Sequence, residues 1–320
     1  MADVVAGLAV FGAVIAVGWL LVRTRAVPAD ADGVLTRVCF FAATPALLVT
    51  TLSRADLTAV LSRATAVAVA AELVAIISAW CLHRLALRRT IAEATIGALA
   101  SGYVNAANLG IPVAVLVLGD AATIAPILLL QLLVLTPVTF TVLDAVTRRG
   151  NPSRLATLTV PLRNPLLWGV VAGTAANLGG VRLEQWCGGY SAQGLEMLGR
   201  VAVPLMMLAL GMSLAGAPRP LRNSGPDEPV RGVSRRSGLW AAVAWKLAVM
   251  PALAVAVGLA AGLGGSQLLV PVVTAALPTA QNVFMYASRY GAAKDLARDA
   301  VLLTTAGFVP VVLLAAAIPR

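Results

Sequence analysis

The chain has 320 residues, 59% of them hydrophobic and 12% charged, with a mean hydropathy of +0.89 and a formal net charge of +10. A soluble domain carries about 25% charged residues, so half that value points to an all-α membrane protein, with room for about ten spans of roughly 20 residues in the lipid bilayer. The basic residues are scattered between apolar runs, which excludes nucleic acid as a partner, and a single histidine with three dispersed cysteines, Cys39, Cys81 and Cys187, excludes a zinc-dependent enzyme.

In chain order, the first apolar run (about 4–22) has Asp3 where a signal peptide carries its basic region. It is also longer than a usual signal core, so it reads as span one, closed by Arg23 and Arg25. Span two covers about 34–52 and contains Thr44-Pro45; span three covers about 58–82 and carries Glu72, the deepest acid in the chain. Intramembrane acids are costly and point to function. Glu72 is therefore a candidate for proton coupling, with a charge pair to Lys246 in span eight as the alternative. His83, at the basic end of span three, is expected to be solvated.

Span four, about 91–118, holds two asparagines and a Gly110-Ile111-Pro112 sequence near its middle. Gly110 leaves helical dihedrals at little steric cost, and Pro112 removes a backbone donor, so the helix is expected to break here. Broken backbone at membrane depth is tolerated only inside protein or beside a water-filled cavity. A second half-helix starting near Pro112 would turn its positive dipole end toward that cavity and suit an anion. Asn105 and Asn108 are three residues apart and would share one face of the first half-helix. Their amides suit a carboxylate or a coupling cation, or else satisfy the broken backbone.

Span five is about 121–146, with Gln131 and Pro137, and a polar link over 148–161 follows. Span six is about 162–180 and span seven about 195–215, with Pro204. The polar segment 216–237 reads as a loop rich in Pro, Gly and Arg. Span eight, about 239–263, carries Lys246 and Pro251; Lys246 either pairs with Glu72 or snorkels to the surface. Span nine, about 266–290, contains Leu277-Pro278, and span ten is about 295–318. Gln281 and Asn282 follow Pro278 by one turn, where they either complete the cavity or cap a helix. Eighteen basic residues flank the loops after odd-numbered spans and five lie on the opposite side, Lys246 being the last of the 24. That asymmetry places both termini on the extracytoplasmic side of the cell membrane.

Pro45 and Pro204 are 159 residues apart, and Pro112 and Pro278 are 166 apart. Interrupted spans at corresponding places in two halves indicate an inverted repeat with its binding site at the breaks. The two repeats would be 1–147 and 162–320, joined by the cytoplasmic linker 148–161, with a cytoplasmic loop at 216–237.

Asn105…Gly110-Ile111-Pro112 resembles a fourth-span motif of the auxin efflux carrier family. Ala276-Leu277-Pro278…Phe284…Ala287…Tyr290-Gly291 resembles its ninth-span motif. Weaker likenesses are Pro45-Ala46-Leu47-Leu48, Arg163-Asn164-Pro165-Leu166-Leu167-Trp168 and Lys246 through Pro251. The resemblance implies ten transmembrane helices in two inverted five-helix repeats, with the fourth and ninth helices broken and crossing at their prolines. It implies a scaffold of spans one, two, six and seven, which permits a homodimer, and a transport domain of the other six. Family substrates are organic anions, dicarboxylates such as malate or malonate for some bacterial members, and the short central loop here resembles the bacterial branch. The expected function is a secondary transporter moving a small organic anion by an elevator-like motion. No enzyme activity and no cofactor are expected. The site would comprise Asn105, Asn108, Gly110, Pro112, Pro278, Gln281 and Asn282. The alternatives are a sodium- or proton-coupled symporter like the bile-acid transporters, or a non-transporting membrane receptor.

Overall fold

The computed structural model describes residues 2–28, 30–147, 162, 164–182, 185, 189–216 and 235–316. The predicted linker 148–161, most of the loop 216–237, Arg163 and Cys187 lie outside the described residues. The described chain is helical: α1 Ala2–Arg23, α2 Ala31–Arg54, α3 Arg63–Ala86, α4 Ile91–Gly102, α5 Ala106–Leu118, α6 Ala121–Thr147, α7 Pro165–Leu178, α8 Tyr190–Ala215, α9 Arg236–Ala260, α10 Gly265–Ala276, α11 Gln281–Tyr290 and α12 Lys294–Ala315. Among the described residues there is no strand, only an isolated antiparallel pairing of Val104 with Thr279. Six helices, α2, α3, α6, α8, α9 and α12, are long and apolar enough to cross a membrane; α5, α7, α10 and the Gly12–Arg23 part of α1 are shorter apolar helices.

Local sequence accounts for several boundaries. Thr90 and Glu93 close a reciprocal capping box at the start of α4. Asn164 caps Leu166 at the start of α7, with Pro165 at the first position, where its missing N–H costs nothing. Gly119, with φ +84°, ends α5 in the left-handed conformation that glycine adopts readily, and Asp120 caps the next turn through Ala122 N. Arg235 already begins a helix, so the loop predicted to reach 237 ends sooner.

The chain divides into two contact units. The first comprises 1–62, 107–125 and 160–217 and so contains α1, α2, α7, α8 and nearly all of α5. Its helices meet through glycines. A Cβ on Gly211 of α8 would run into the carbonyl oxygen of Ile15 in α1, and one on Gly18 into the carbonyl of Leu208. A Cβ on Gly173 of α7 would lie 2.9 Å from the carbonyl oxygen of Leu48 in α2. Such close backbone approach is how helices associate in lipid, where apolar side chains gain little by leaving the hydrocarbon.

The second unit comprises 63–106, 126–159 and 218–320, with α3, α4, α9 to α12 and most of α6. Here α4 packs on α3 at Gly102, where a Cβ would lie 2.5 Å from Ile76 Cγ1. Trp245 Nε1 donates to the carbonyl of Ala75 at 3.2 Å and ties α9 to α3. His83, expected in solvent, is fully buried, its Nε2 3.5 Å from Ser101 Oγ. The reason is that helix α3 continues through a wide turn at Leu82–Ala86, which carries the imidazole against α4 rather than past its end.

Candidate functional site

The second unit contains a place where two helices come apart and their loose ends pair. α4 ends at Gly102, and Tyr103 is extended, with φ −76° and ψ 106°. α10 ends at Ala276, and Leu277 is extended, with φ −60° and ψ 145°. The two short links run antiparallel: Asn105 N donates to Pro278 O at 2.8 Å, and Ala280 N donates to Tyr103 O at 3.1 Å. Asn105 and Pro278 are thus brought together by backbone, with Asn105 buried at 6% exposure.

Helix breaks at this depth leave polar groups that need partners, and most of them come from side chains elsewhere in the unit. Gln131 Nε2 of α6 donates to Val104 O at 2.9 Å and to Glu72 Oε1 at 2.8 Å. Glu72 Oε1 in turn accepts from Val104 N at 3.3 Å. Thr279 Oγ1 donates to Ala100 O, near the end of α4, at 2.6 Å. Thr279 N donates to Thr304 Oγ1 of α12 at 3.1 Å. Lys246 Nζ donates to Ala275 O, near the end of α10, at 2.9 Å, and also to Met250 Sδ. Glu72 and Lys246 therefore each serve a different helix end. Both are fully buried, no ion pair joins them, and Lys246 does not reach a surface. Glu72 Oε2 is buried with no hydrogen-bond partner.

A chain of hydroxyls lies beside the link. Tyr103 Oη is 3.4 Å from Thr136 Oγ1, which is 3.1 Å from Tyr286 Oη of α11. Phe140 stacks edge-on against Tyr286 at 5.0 Å between centroids. Tyr290 Oη donates to Asp144 Oδ1 at 2.8 Å. Gln131, Tyr103, Thr136, Thr279 and Tyr286 carry no role in the sequence reading. The available signal was a polar residue inside an apolar run, clearest for Gln131 between leucines.

Gln281 and Asn282 are the first two residues of α11, both half-buried. The N-cap position is Ala280, which offers no side-chain acceptor, so neither residue caps the helix.

The break in the first half is not at Pro112. Gly110 has helical dihedrals (φ −62°, ψ −45°), and α5 already starts at Ala106. The turn Ala106–Gly110 is wide, with i→i+5 bonds, and such a turn passes a proline ring without ending the helix. The stretch predicted as one span over 91–118 is thus broken at Tyr103–Asn105, while the stretch over 266–290 is broken beside Pro278 as expected. Asn105 sits in the extended link and Asn108 in the wide turn of α5, so the two do not share a helical face. Asn108, Gly110 and Pro112 belong to the first unit; Glu72, Asn105, Lys246, Pro278, Gln281 and Asn282 belong to the second.

Paired broken ends inside an apolar, multi-helix chain are the architecture of a membrane transporter. Comparison with known proteins agrees: the family described as "Membrane transport protein" matches residues 5–316. This chain belongs to that family of auxin-efflux-carrier-type transporters, multi-pass membrane proteins rather than enzymes. A protein of Rhizobium meliloti (strain 1021) named "Putative malonate transporter" is 28% identical over 324 residues, spanning 95% of this chain and 92% of that relative.

Proposed function

We propose that this transporter moves a small dicarboxylate of the malonate type by alternating access, with the carboxylate seated at the paired link of the second unit. The observation that carries the reading is the antiparallel pairing of 103–105 with 278–280, which sets buried Asn105 beside the N-terminus of α11, where the N-cap residue Ala280 has no side-chain acceptor. A helix N-terminus carries roughly half a positive charge, and its free N–H groups take an anion without a buried arginine. No acidic residue stands in the first turn of α11 to oppose an anion. Asn105, Gln281 and Asn282 orient the guest; Pro278 fixes the link by removing a donor and holding its φ. The relative's name supplies the substrate class.

The same reading takes the fold as ten spans in two inverted repeats, with both termini outside. α4 with α5, and α10 with α11, each make one interrupted span. Support comes from reciprocal packing: α1 lies on α8 as α7 lies on α2, the exchange that a pseudo-two-fold axis requires. The first unit would act as the frame, and as the homodimer surface, while the second moves as the carrier. Glu72, with one unpartnered oxygen, is the proton-coupling candidate.

The test is a set of mono- and dicarboxylates titrated against the purified protein by thermal shift, followed by malonate uptake in proteoliposomes with and without a protonophore. Malonate should stabilise the wild type, and Asn105→Ala should weaken that effect by about ten-fold in affinity, the equivalent of one charge-assisted hydrogen bond. Full malonate affinity in a folded Asn105→Ala protein would remove Asn105 from the site. Uptake that survives the protonophore would remove Glu72 as a coupling group.

A further inference from the structure

Beside the paired links, three hydroxyls from three different elements meet: Tyr103 of the link, Thr136 of α6 and Tyr286 of α11. All three side chains are buried. Among the described residues, no carbonyl or carboxylate oxygen accepts from any of them. Their mutual contacts, 3.4 and 3.1 Å, are longer than the about 2.7–2.8 Å of a good O–H···O bond. Hydroxyls that join helices in the same unit bond more tightly: Tyr290 donates to Asp144 at 2.8 Å, and Thr279 to Ala100 O at 2.6 Å. Tyr103, Thr136 and Tyr286 are therefore donors gathered in one place without an acceptor that suits them. Ring contacts hold them there, since Tyr286 has Phe140 edge-on at 5.0 Å and Tyr103 edge-on at 6.4 Å.

Backbone geometry sets these hydroxyls next to the carboxylate seat. Tyr103 is extended and Val104 pairs with Thr279 as a strand would. In extended chain, residues i and i+2 share a face about 6–7 Å apart, which matches Tyr103 with Asn105. In a helix, residues i and i+4 share a face about 6 Å apart, which matches Tyr286 with Asn282 in α11. A long helical side chain also leans back toward its own N-terminus, so the Tyr286 ring turns toward the link. Each side of the pairing thus offers an amide and, one step along, a hydroxyl. One carboxylate engages the amides, and a second at the other end of a short acid would reach the hydroxyls.

We propose that Tyr103, Thr136 and Tyr286 form a second carboxylate anchor, which makes the site select short dicarboxylates over monocarboxylates. This deepens the transport reading above and rests on it for the position of the first carboxylate. A carboxylate oxygen only accepts, so it takes the O–H donors in place of the long contacts they make with one another.

The experiment titrates the purified full chain by thermal shift with malonate and with monomethyl malonate, in which one carboxylate is capped as an ester. The wild type should bind malonate about ten-fold more tightly than the ester, the worth of one charge-assisted hydrogen bond. Tyr286→Phe keeps the ring and loses the hydroxyl. It should weaken malonate about ten-fold and the ester less than about two-fold, so that the preference disappears. A hydroxyl that only packs would move both ligands alike or move neither. Thr136→Val should act in the same direction, and it is read in place of Tyr286→Phe if that protein does not fold. An unchanged malonate-to-ester ratio in the folded variants, or a wild type without preference, would overturn the inference. Asn105→Ala separates the two readings, because losing the first seat should weaken both ligands alike. If Asn105→Ala changes neither affinity while Tyr286→Phe still narrows the ratio, the first seat is wrong and the second anchor stands. If neither ligand stabilises the wild type, both readings fall.

Discussion

The two contact units bury different things. Among the described residues, the first unit buries only two polar side chains, Thr44 and Thr50, while the second buries sixteen, including Glu72, His83, Arg89, Lys246 and Asp299. The first unit is joined instead by glycine contacts along apolar helices. The difference teaches where function can sit. Close backbone approach holds the first unit together, whereas a unit that buries ionisable groups needs hydrogen-bond partners for most of their polar atoms.

The sharpest way to break this comparison is to remove Glu72. Glu72→Leu strands the Val104 amide and one contact of Gln131 in a fully buried setting, and should cost about 3 kcal/mol or more. Thermal melting in detergent measures it, with Glu72→Gln losing less because it keeps an acceptor. A Glu72→Leu protein that melts like the wild type would mean the polar groups of the second unit are not structural.

The first unit has its own test. Gly211→Leu drives a side chain into the backbone of α1, which cannot yield, and should destabilise by roughly 2–3 kcal/mol. Gly12→Leu, where a Cβ would meet nothing within 4 Å, should stay within about 0.5 kcal/mol. Equal melting of the two variants would refute close packing of α1 on α8.

The smallest effect separates the units at one residue type. Thr279→Val removes the donor to Ala100 O, a bond between two different helix ends, and should cost about 1 kcal/mol. Thr50→Val removes only a bond shared between the helix's own Ala46 and Leu47 carbonyls and should change stability by less than about 0.5 kcal/mol. The same loss at both sites would erase the distinction.

Much of this could be read in the chain before any coordinates. Glu72, Asn105, Lys246 and Pro278 stand out as polar or helix-breaking residues within apolar runs, and all four lie at or beside the paired links. Pro112 stands out by the same rule, yet it is helical, because a wide turn just before it absorbs the missing donor. His83 looks exposed by its basic neighbours and is buried, because α3 continues past the point where its hydropathy falls. Gln131 is visible in span five but has no role assigned there, because one amide in an apolar helix does not reveal what it serves.

Composition and order of residues alone determined that the chain is helical, lies in a bilayer, belongs to a transporter family and carries a polar interruption in each half. These follow from transfer energies and local dihedral preferences, which need no neighbours distant in sequence. Where the stretch 91–118 unwinds, and which charge tends which helix end, was decided only by tertiary structure. Those choices rest on hydrogen bonds such as Thr279 to Ala100, 179 positions apart, and no local preference encodes a partner that far away.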